Sequence, residues 1–249
     1  MSFKKILLVV VVLSTFYSYA QEQVTELKKQ SNDEFIQTYF FVDYSLLKIK
    51  STHEEESSTS GFSSFDDHHD IGVHAINLKY IIDLVPSSSM SFFITPSIGY
   101  LHGENNNRET GDSGNIDYWD SLSGYSYGAQ AGLSYRFISN GLLIAPYVSA
   151  GTSNLALKNV LRFEDNTTEF TTYQFEQDLK GTVSELILGI RFTDIAKNYS
   201  SHISIVNYKL NVTSVEGDAF QSDTDFILSK NAEFEMDHLT FQIGFGKRF

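Results

Sequence analysis

The stretch Gly124-Tyr125-Ser126-Tyr127-Gly128-Ala129-Gln130-Ala131-Gly132-Leu133-Ser134-Tyr135-Arg136-Phe137 decides the fold. Tyr125, Tyr127, Ala129, Ala131, Leu133, Tyr135 and Phe137 are apolar or aromatic, and the residues between them are small, polar or charged. Period two is the signature of a β-strand, because successive side chains leave a strand on opposite faces. The composition of the polar face then says which kind of sheet it is. Glycine, serine and isolated charges suit a crowded, hydrated interior, whereas a soluble sandwich turns its apolar face inward and needs no such continuous row. The aromatic row therefore reads as an outer surface in contact with lipid.

The same alternation recurs on both sides of this stretch. His74, Ile76, Leu78, Tyr80, Ile82 and Leu84 alternate with Ala75, Asn77, Lys79 and Asp83, and Leu239, Phe241, Ile243 and Phe245 alternate with Thr240, Gln242, Gly244 and Gly246. Eight strands are expected, at 35–50, 71–85, 90–102, 122–138, 141–157, 182–193, 199–213 and 238–249. Each is longer than the 9 to 11 residues that a tilted strand needs to cross a bilayer. The connections alternate too. Pro86-Ser87-Ser88-Ser89, Ser139-Asn140-Gly141 and 194–198 are tight turns, while 51–70, 103–121, 158–181 and 214–237 are long. These four long segments hold 23 of the 31 acidic residues and five basic ones. Charge at that density belongs in water, since one charge at a bilayer midplane costs about 2–4 kcal/mol. Pro96 and Pro146 sit at matching points of the third and fifth strands, and a local bulge is expected at each.

Composition narrows the class further. Of 249 residues none is cysteine, which excludes disulfide scaffolds, thiolate metal sites and thiol nucleophiles. The formal charge of −13 leaves no basic footprint for nucleic acid, so none is expected as a partner. Lys4-Lys5, the apolar run 6–16 and Ser18-Tyr19-Ala20 form a secretory signal, with cleavage expected after Ala20. Three parts are expected: a signal peptide at 1–20, a polar periplasmic segment at 21–34 and a barrel at 35–249.

With these residues in hand, the chain resembles the small bacterial outer-membrane β-barrel proteins of the OmpX and OmpA-transmembrane type. The likeness spans 35–249 and includes Phe241-Gln242-Ile243-Gly244-Phe245-Gly246-Lys247-Arg248-Phe249. It implies an all-β, eight-stranded, antiparallel up-and-down transmembrane β-barrel with short periplasmic turns and long extracellular loops. It also implies a monomer among outer-membrane lipid, whose final strand, ending in Phe249, is read by the assembly machinery. Lys247 departs from the family pattern, where an apolar residue is usual. Tyr44, Tyr80, Tyr100, Tyr125 and Tyr135 are expected in aromatic girdles at strand ends.

Candidate chemistry is sparse. Gly111-Asp112-Ser113-Gly114 is similar to the nucleophile segment of trypsin-like proteases, but Asn115 stands where the next glycine belongs. His202-Ile203-Ser204 is similar to the His-x-Ser pair of outer-membrane lipid A deacylases, yet Glu216 lies about 45 Å away along an extended strand. His53-Glu54-Glu55-Glu56 and Asp66-Asp67-His68-His69-Asp70 offer three imidazoles and six carboxylates at the two ends of one loop, with no spacing of a defined metal site. No catalytic residue, cofactor or metal ligand is assigned. Asp43, Lys79, Asp83, Arg136, Glu185, Arg191, Lys209 and Arg248 are expected to face inward and plug the lumen with ion pairs. Alternation across 160–177, on both sides of Asp165-Asn166, predicts a hairpin standing above the membrane, and 158–181 is the expected docking site for an extracellular protein. The expected function is therefore envelope integrity or surface adhesion without catalysis. A narrow solute pore, a lipid-modifying enzyme and a soluble exported barrel of lipocalin type are the alternatives.

Overall fold

The computed structural model describes residues 36–57, 65–85, 89–111, 114–165, 171–217, 226–228 and 233–249. The signal segment and the polar lead at 21–34 lie outside the described residues. Every regular element described is a strand: β1 Ile36–Ser57, β2 Phe65–Leu84, β3 Met90–Gly111, β4 Gly114–Tyr135, β5 Phe137–Ser139, β6 Leu142–Asp165, β7 Thr171–Asp194, β8 Tyr199–Gly217, β9 Phe226–Leu228, β10 Glu233–Glu235 and β11 Asp237–Arg248. All pairings are antiparallel, and β1 pairs both β2 and β11, which closes the sheet into a ring. The short β5 continues β4 past Arg136, and β10 precedes β11 across Met236, so the ring has eight staves.

The tight turns gather at one rim. Asn140 and Gly141 both have positive φ, 51° and 78°, between paired Ser139 and Leu142, the two-residue turn for which Asn-Gly is best suited. Asp194 Oδ1 accepts from the backbone N–H groups of Ala196 (2.9 Å) and Lys197 (3.0 Å) and stabilises the next turn. At the other rim the hairpins are long, with β6 and β7 each 24 residues, or about 80 Å of extended chain.

Outward positions near the short-turn rim form an apolar band. On β1 these are Ile36, Phe40, Val42, Tyr44 and Leu46; on β3, Met90, Phe92, Ile94, Ile98 and Tyr100; on β11, Leu239, Phe241, Ile243 and Phe245. The runs on β1 and β3 each cover eleven residues, enough to span a bilayer in a tilted strand, and that on β11 covers seven. Above the band the outward face turns polar: Lys48 pairs with Asp70 (2.7 Å), and Lys158 and Lys180 pair with Glu176 and Glu216. An outward apolar belt of this height on a closed ring places the chain across the outer membrane.

Several expectations need correction. Strand pairing runs well into the segments read as loops, because above the band water replaces lipid outside and the outward apolar row ends while the strands continue. The ladder between β1 and β2 reaches Glu55↔Phe65, that between β3 and β4 reaches Gly111↔Gly114, and that between β6 and β7 reaches Asp165↔Thr171. Neither proline makes a bulge. Around Pro96 the β2–β3 ladder skips two pairs between Lys79↔Ser97 and Ile82↔Ile94 without changing register, and around Pro146 the same gap separates Ser134↔Tyr147 from Phe137↔Ile144. Each proline turns the side lacking an N–H toward that gap and leaves its other ladder intact. The bulge lies instead between β7 and β8, where the register shifts at Lys180/Gly181 and Thr213 Oγ1 donates to the Lys180 carbonyl. Tyr44, Tyr100 and Tyr125 stand outward at the upper edge of the band as expected, but Tyr80 lies within it, opposite Phe40.

Candidate functional site: the filled barrel and the sheet above it

Within the band the lumen is filled by a charged network. Asp43 on β1 meets Lys79 on β2 (2.9 Å) and His202 on β8 (2.8 Å). Gly244 on β11 makes this meeting possible: it pairs with Asp43 on one side and His202 on the other, and a Cβ there would strike both side chains. A carboxylate only accepts, so His202 donates from Nε2, and its Nδ1 lies within hydrogen-bond distance of Tyr147 Oη at 3.1 Å. Lys79 also donates to Gln242 Oε1 (2.9 Å). Across the lumen Gln130 and Ser153 donate to the two carboxylate oxygens of Glu185. Toward the short-turn rim Arg191 pairs with Asp83 and lies 4.3 Å over the Tyr39 ring, while Arg136 donates to Gln37 Oε1 (2.7 Å). Tyr39, Phe41, Ile81 and Phe93 fill the space between these groups.

Above this network the interior changes character. Leu47, Ile49, Ile71, Val73, Leu101, Leu122, Leu155, Leu157, Leu179 and Val183 form one buried apolar cluster, which Phe234 and Met236 join from the β10–β11 stave. Two small cavities lie among the described residues. One of about 30 Å³ lies between the two zones, bounded by Lys79, Gln130, Glu185 and Gln242 on one side and Leu47, Leu101 and Met236 on the other. A second, of about 20 Å³, lies among Lys79, Thr95, Tyr147, Arg191 and His202. Each has room for one or two waters, and the Thr95 hydroxyl, which lines the second and has no protein partner, is a natural partner for one.

Of the eight charges expected inside, Asp43, Lys79, Asp83, Arg136, Glu185 and Arg191 join this network, and Arg248 takes an inward position at the rim. Lys209 is the exception. It is exposed on the outer face, because the inward positions of β8 are Ser204, Val206, Tyr208 and Leu210. His202 faces neither leaflet but the lumen, and its carboxylate is Asp43, 159 residues away in sequence; Glu216 is exposed beside Lys180. Only barrel closure brings Asp43 and His202 together, and no local pattern announces it. Gly111 and Gly114 close the tip of the β3–β4 hairpin, and Asp112 and Ser113 lie outside the described residues. Among the described residues no group of metal-ligating side chains forms a site; the side chains of His53, His68 and His69 lie outside them.

Above the membrane the ring divides. The β2–β3 ladder ends at Val73↔Gly103, and the β7–β8 ladder ends at Gln177↔Gly217. Between these limits β3, β4, β6 and β7 remain joined as a four-stranded sheet. Among the described residues, 104–111 of β3 and 171–176 of β7 have no partner on their second side. Lys158 and Glu176 pair across the β6–β7 hairpin, and the Glu176 carboxylate, as hydrogen-bond acceptor, raises the Lys158 pKa above its ordinary value.

No protein-family model matches the sequence, and no curated protein matches it significantly. Solved structures that resemble it include Ail, the attachment invasion locus protein of Yersinia pestis, in complex with the heparin analogue sucrose octasulfate (13% identity, 85% of this chain and 99% of that one, TM-score 0.30). Neisserial surface protein A (13% identity, 82% and 95%, TM-score 0.34) and a major outer membrane protein of Thermus thermophilus (13% identity, 85% and 99%, TM-score 0.35) are also similar. The outer membrane protease OmpT of Escherichia coli shares 8% identity over 85% of this chain and 97% of its own, with a TM-score of 0.26. The closed ring of eight, its short turns on one rim and its long hairpins on the other are the architecture of the small outer-membrane β-barrels.

Proposed function

We propose that this barrel is a non-catalytic surface-interaction protein that holds an extracellular partner on the sheet standing above its membrane-embedded half. The observation that carries the reading is that sheet, β3-β4-β6-β7, with edges at 104–111 and 171–176. An edge presents a row of N–H and C=O groups, and another protein's strand can pair with it. The second edge falls within the 158–181 segment. Docking there gains main-chain hydrogen bonds, while acidic outward residues such as Glu176 and Asp178 favour a basic partner. On this reading the chain works as a monomer in outer-membrane lipid, delivered by the assembly machinery through the strand ending at Phe249.

Deletion of 161–175 tests the reading. Cells displaying the deleted chain should lose adherence to surfaces coated with serum proteins, while the chain keeps its heat-dependent gel mobility; unchanged adherence would refute it. The pore alternative is disfavoured by an interior occupied from the ion-paired layer to the apolar cluster, and purified protein in planar bilayers should give no ion-conducting steps. The enzyme alternative is disfavoured because the His202 and Asp43 side chains are buried in the filled lumen. Lipid A mass should not change on expression. A soluble lipocalin-like barrel would not carry the outward band of Phe92, Ile94, Phe241 and Phe245.

A further inference from the structure

At the short-turn mouth of the lumen, positive charge exceeds what the neighbouring side chains neutralise. Arg136, Arg191 and Arg248 all take inward positions there, and Asp83 is the one carboxylate paired with any of them among the described residues. Arg191 is provided for, since it pairs with Asp83 and lies over the Tyr39 ring. Arg136 is buried, and its Nη2 donates to the neutral Gln37 Oε1 (2.7 Å), which also accepts from Tyr39 Oη (3.2 Å). The Arg136 Nε has no hydrogen-bond partner among the described residues. Arg248 stands directly opposite Tyr39 on β11, and no carboxylate among the described residues pairs with it. Both Arg191 and Arg248 are near enough to Arg136 to repel it. Three guanidiniums thus face one carboxylate, in a chain whose formal charge is −13. Like charges gathered in a poorly solvated interior are unfavourable until an opposite charge joins them.

An oxyanion is the group that fits this arrangement. Guanidinium forks match the spacing of phosphate oxygens, and a buried N–H without an acceptor gains most from meeting one. The same rim supplies neutral donors. Ser91 and Ser134 share a hydrogen bond (2.6 Å), as do Thr193 and Ser200 (2.8 Å), and each pair keeps a second hydroxyl proton to give. Ser134 holds the inward position next to Arg136, and Thr193 the one next to Arg191. On the adjoining turn Asp194 is already engaged, its Oδ1 accepting from the N–H groups of Ala196 and Lys197. Arg248 is only half-buried, so the cluster opens to water through it.

We propose that the short-turn mouth of the barrel binds free phosphate between Arg136 and Arg248, with Arg191 adding its charge from deeper in the lumen. The site lies at the rim opposite the sheet edges and does not rest on the docking reading. The test is calorimetric titration of the whole mature chain, folded in micelles of a phosphate-free detergent, with inorganic phosphate at constant ionic strength. One phosphate should bind with a Kd of roughly 1 mM or tighter. Arg248→Gln and Arg136→Gln should each weaken binding at least about fivefold, whereas Lys209→Gln, which removes an exposed cation from the outer face of β8, should change it less than about twofold. Heat-dependent gel mobility of each variant confirms that it is folded, and Arg248, half-buried at the rim, is the substitution that disturbs packing less. The same titration in phosphatidylcholine vesicles should give the same affinity. A Kd above about 10 mM for the folded wild-type chain, unchanged binding in folded Arg248→Gln, or an equal loss with Lys209→Gln would overturn the proposal. Loss of binding in the vesicles would overturn it too, by assigning the mouth to lipid headgroups.

Discussion

The two halves of this barrel invert one another. In the half near the short turns, Val42, Ile94 and Phe245 point outward and Asp43, Lys79 and His202 point inward. Farther up the same strands, Lys48, Asp70 and Lys158 point outward and Leu47, Ile71 and Leu157 point inward. The β1–β2 ladder does not change between them, since its register runs through both. The surrounding medium changes. Lipid demands an apolar exterior and leaves polar groups to pair inside; water allows charge outside, and the interior closes on aliphatic side chains. One strand therefore carries two opposite patterns, joined near Leu46 and Leu47 on β1.

The largest effect that can break this comparison lies in the lower interior. Arg191→Ala leaves the Asp83 carboxylate buried without its cation and should cost about 3–5 kcal/mol in equilibrium unfolding from lipid vesicles. A near-neutral result would mean that the lower lumen is wetter than its packing implies. In the upper interior, Ile71→Ala removes a fully buried side chain from the apolar cluster and should cost about 2–4 kcal/mol in the same assay. The exterior sharpens the contrast. Ile94→Arg, within the band, should cost about 2–4 kcal/mol, whereas Asn211→Arg, outward on β8 beyond Lys209, should stay within about 0.5 kcal/mol. Comparable costs at those two positions would dissolve the distinction between the halves. Smallest of all, Lys158→Ala removes an exposed ion pair and should leave the unfolding midpoint unchanged within error.

The lower half was the legible one. Its alternation between extremes of polarity revealed all eight strands, and six of its lumen charges were placed on the correct face from parity alone. Legibility failed where the medium changed. Above the band, outward charges look like loop charges, so β1 appears to end near Lys50 although it pairs as far as Ser57. Lys209, expected inside, lies outward because its neighbours Tyr208 and Leu210 take the inward positions of β8. The hairpin at 160–177 was recognised because Val160 and Leu161 keep the alternation visible on either side of a turn-prone pair; the equally long β1–β2 and β3–β4 hairpins, rich in charge or asparagine, hid theirs. The Asp43, His202 and Gly244 constellation joins β1, β8 and β11 and exists only once the ring closes.

Because the chain has no cysteine, any single introduced thiol gives a unique label. The most direct test of the inverted halves is therefore spin-label accessibility in lipid vesicles at Ile94→Cys and Asn211→Cys, both on outward faces. A label at position 94 should relax preferentially with oxygen, which concentrates in the bilayer, and a label at position 211 with a water-soluble nickel complex. Nickel accessibility at 94, or oxygen preference at 211, would contradict the account.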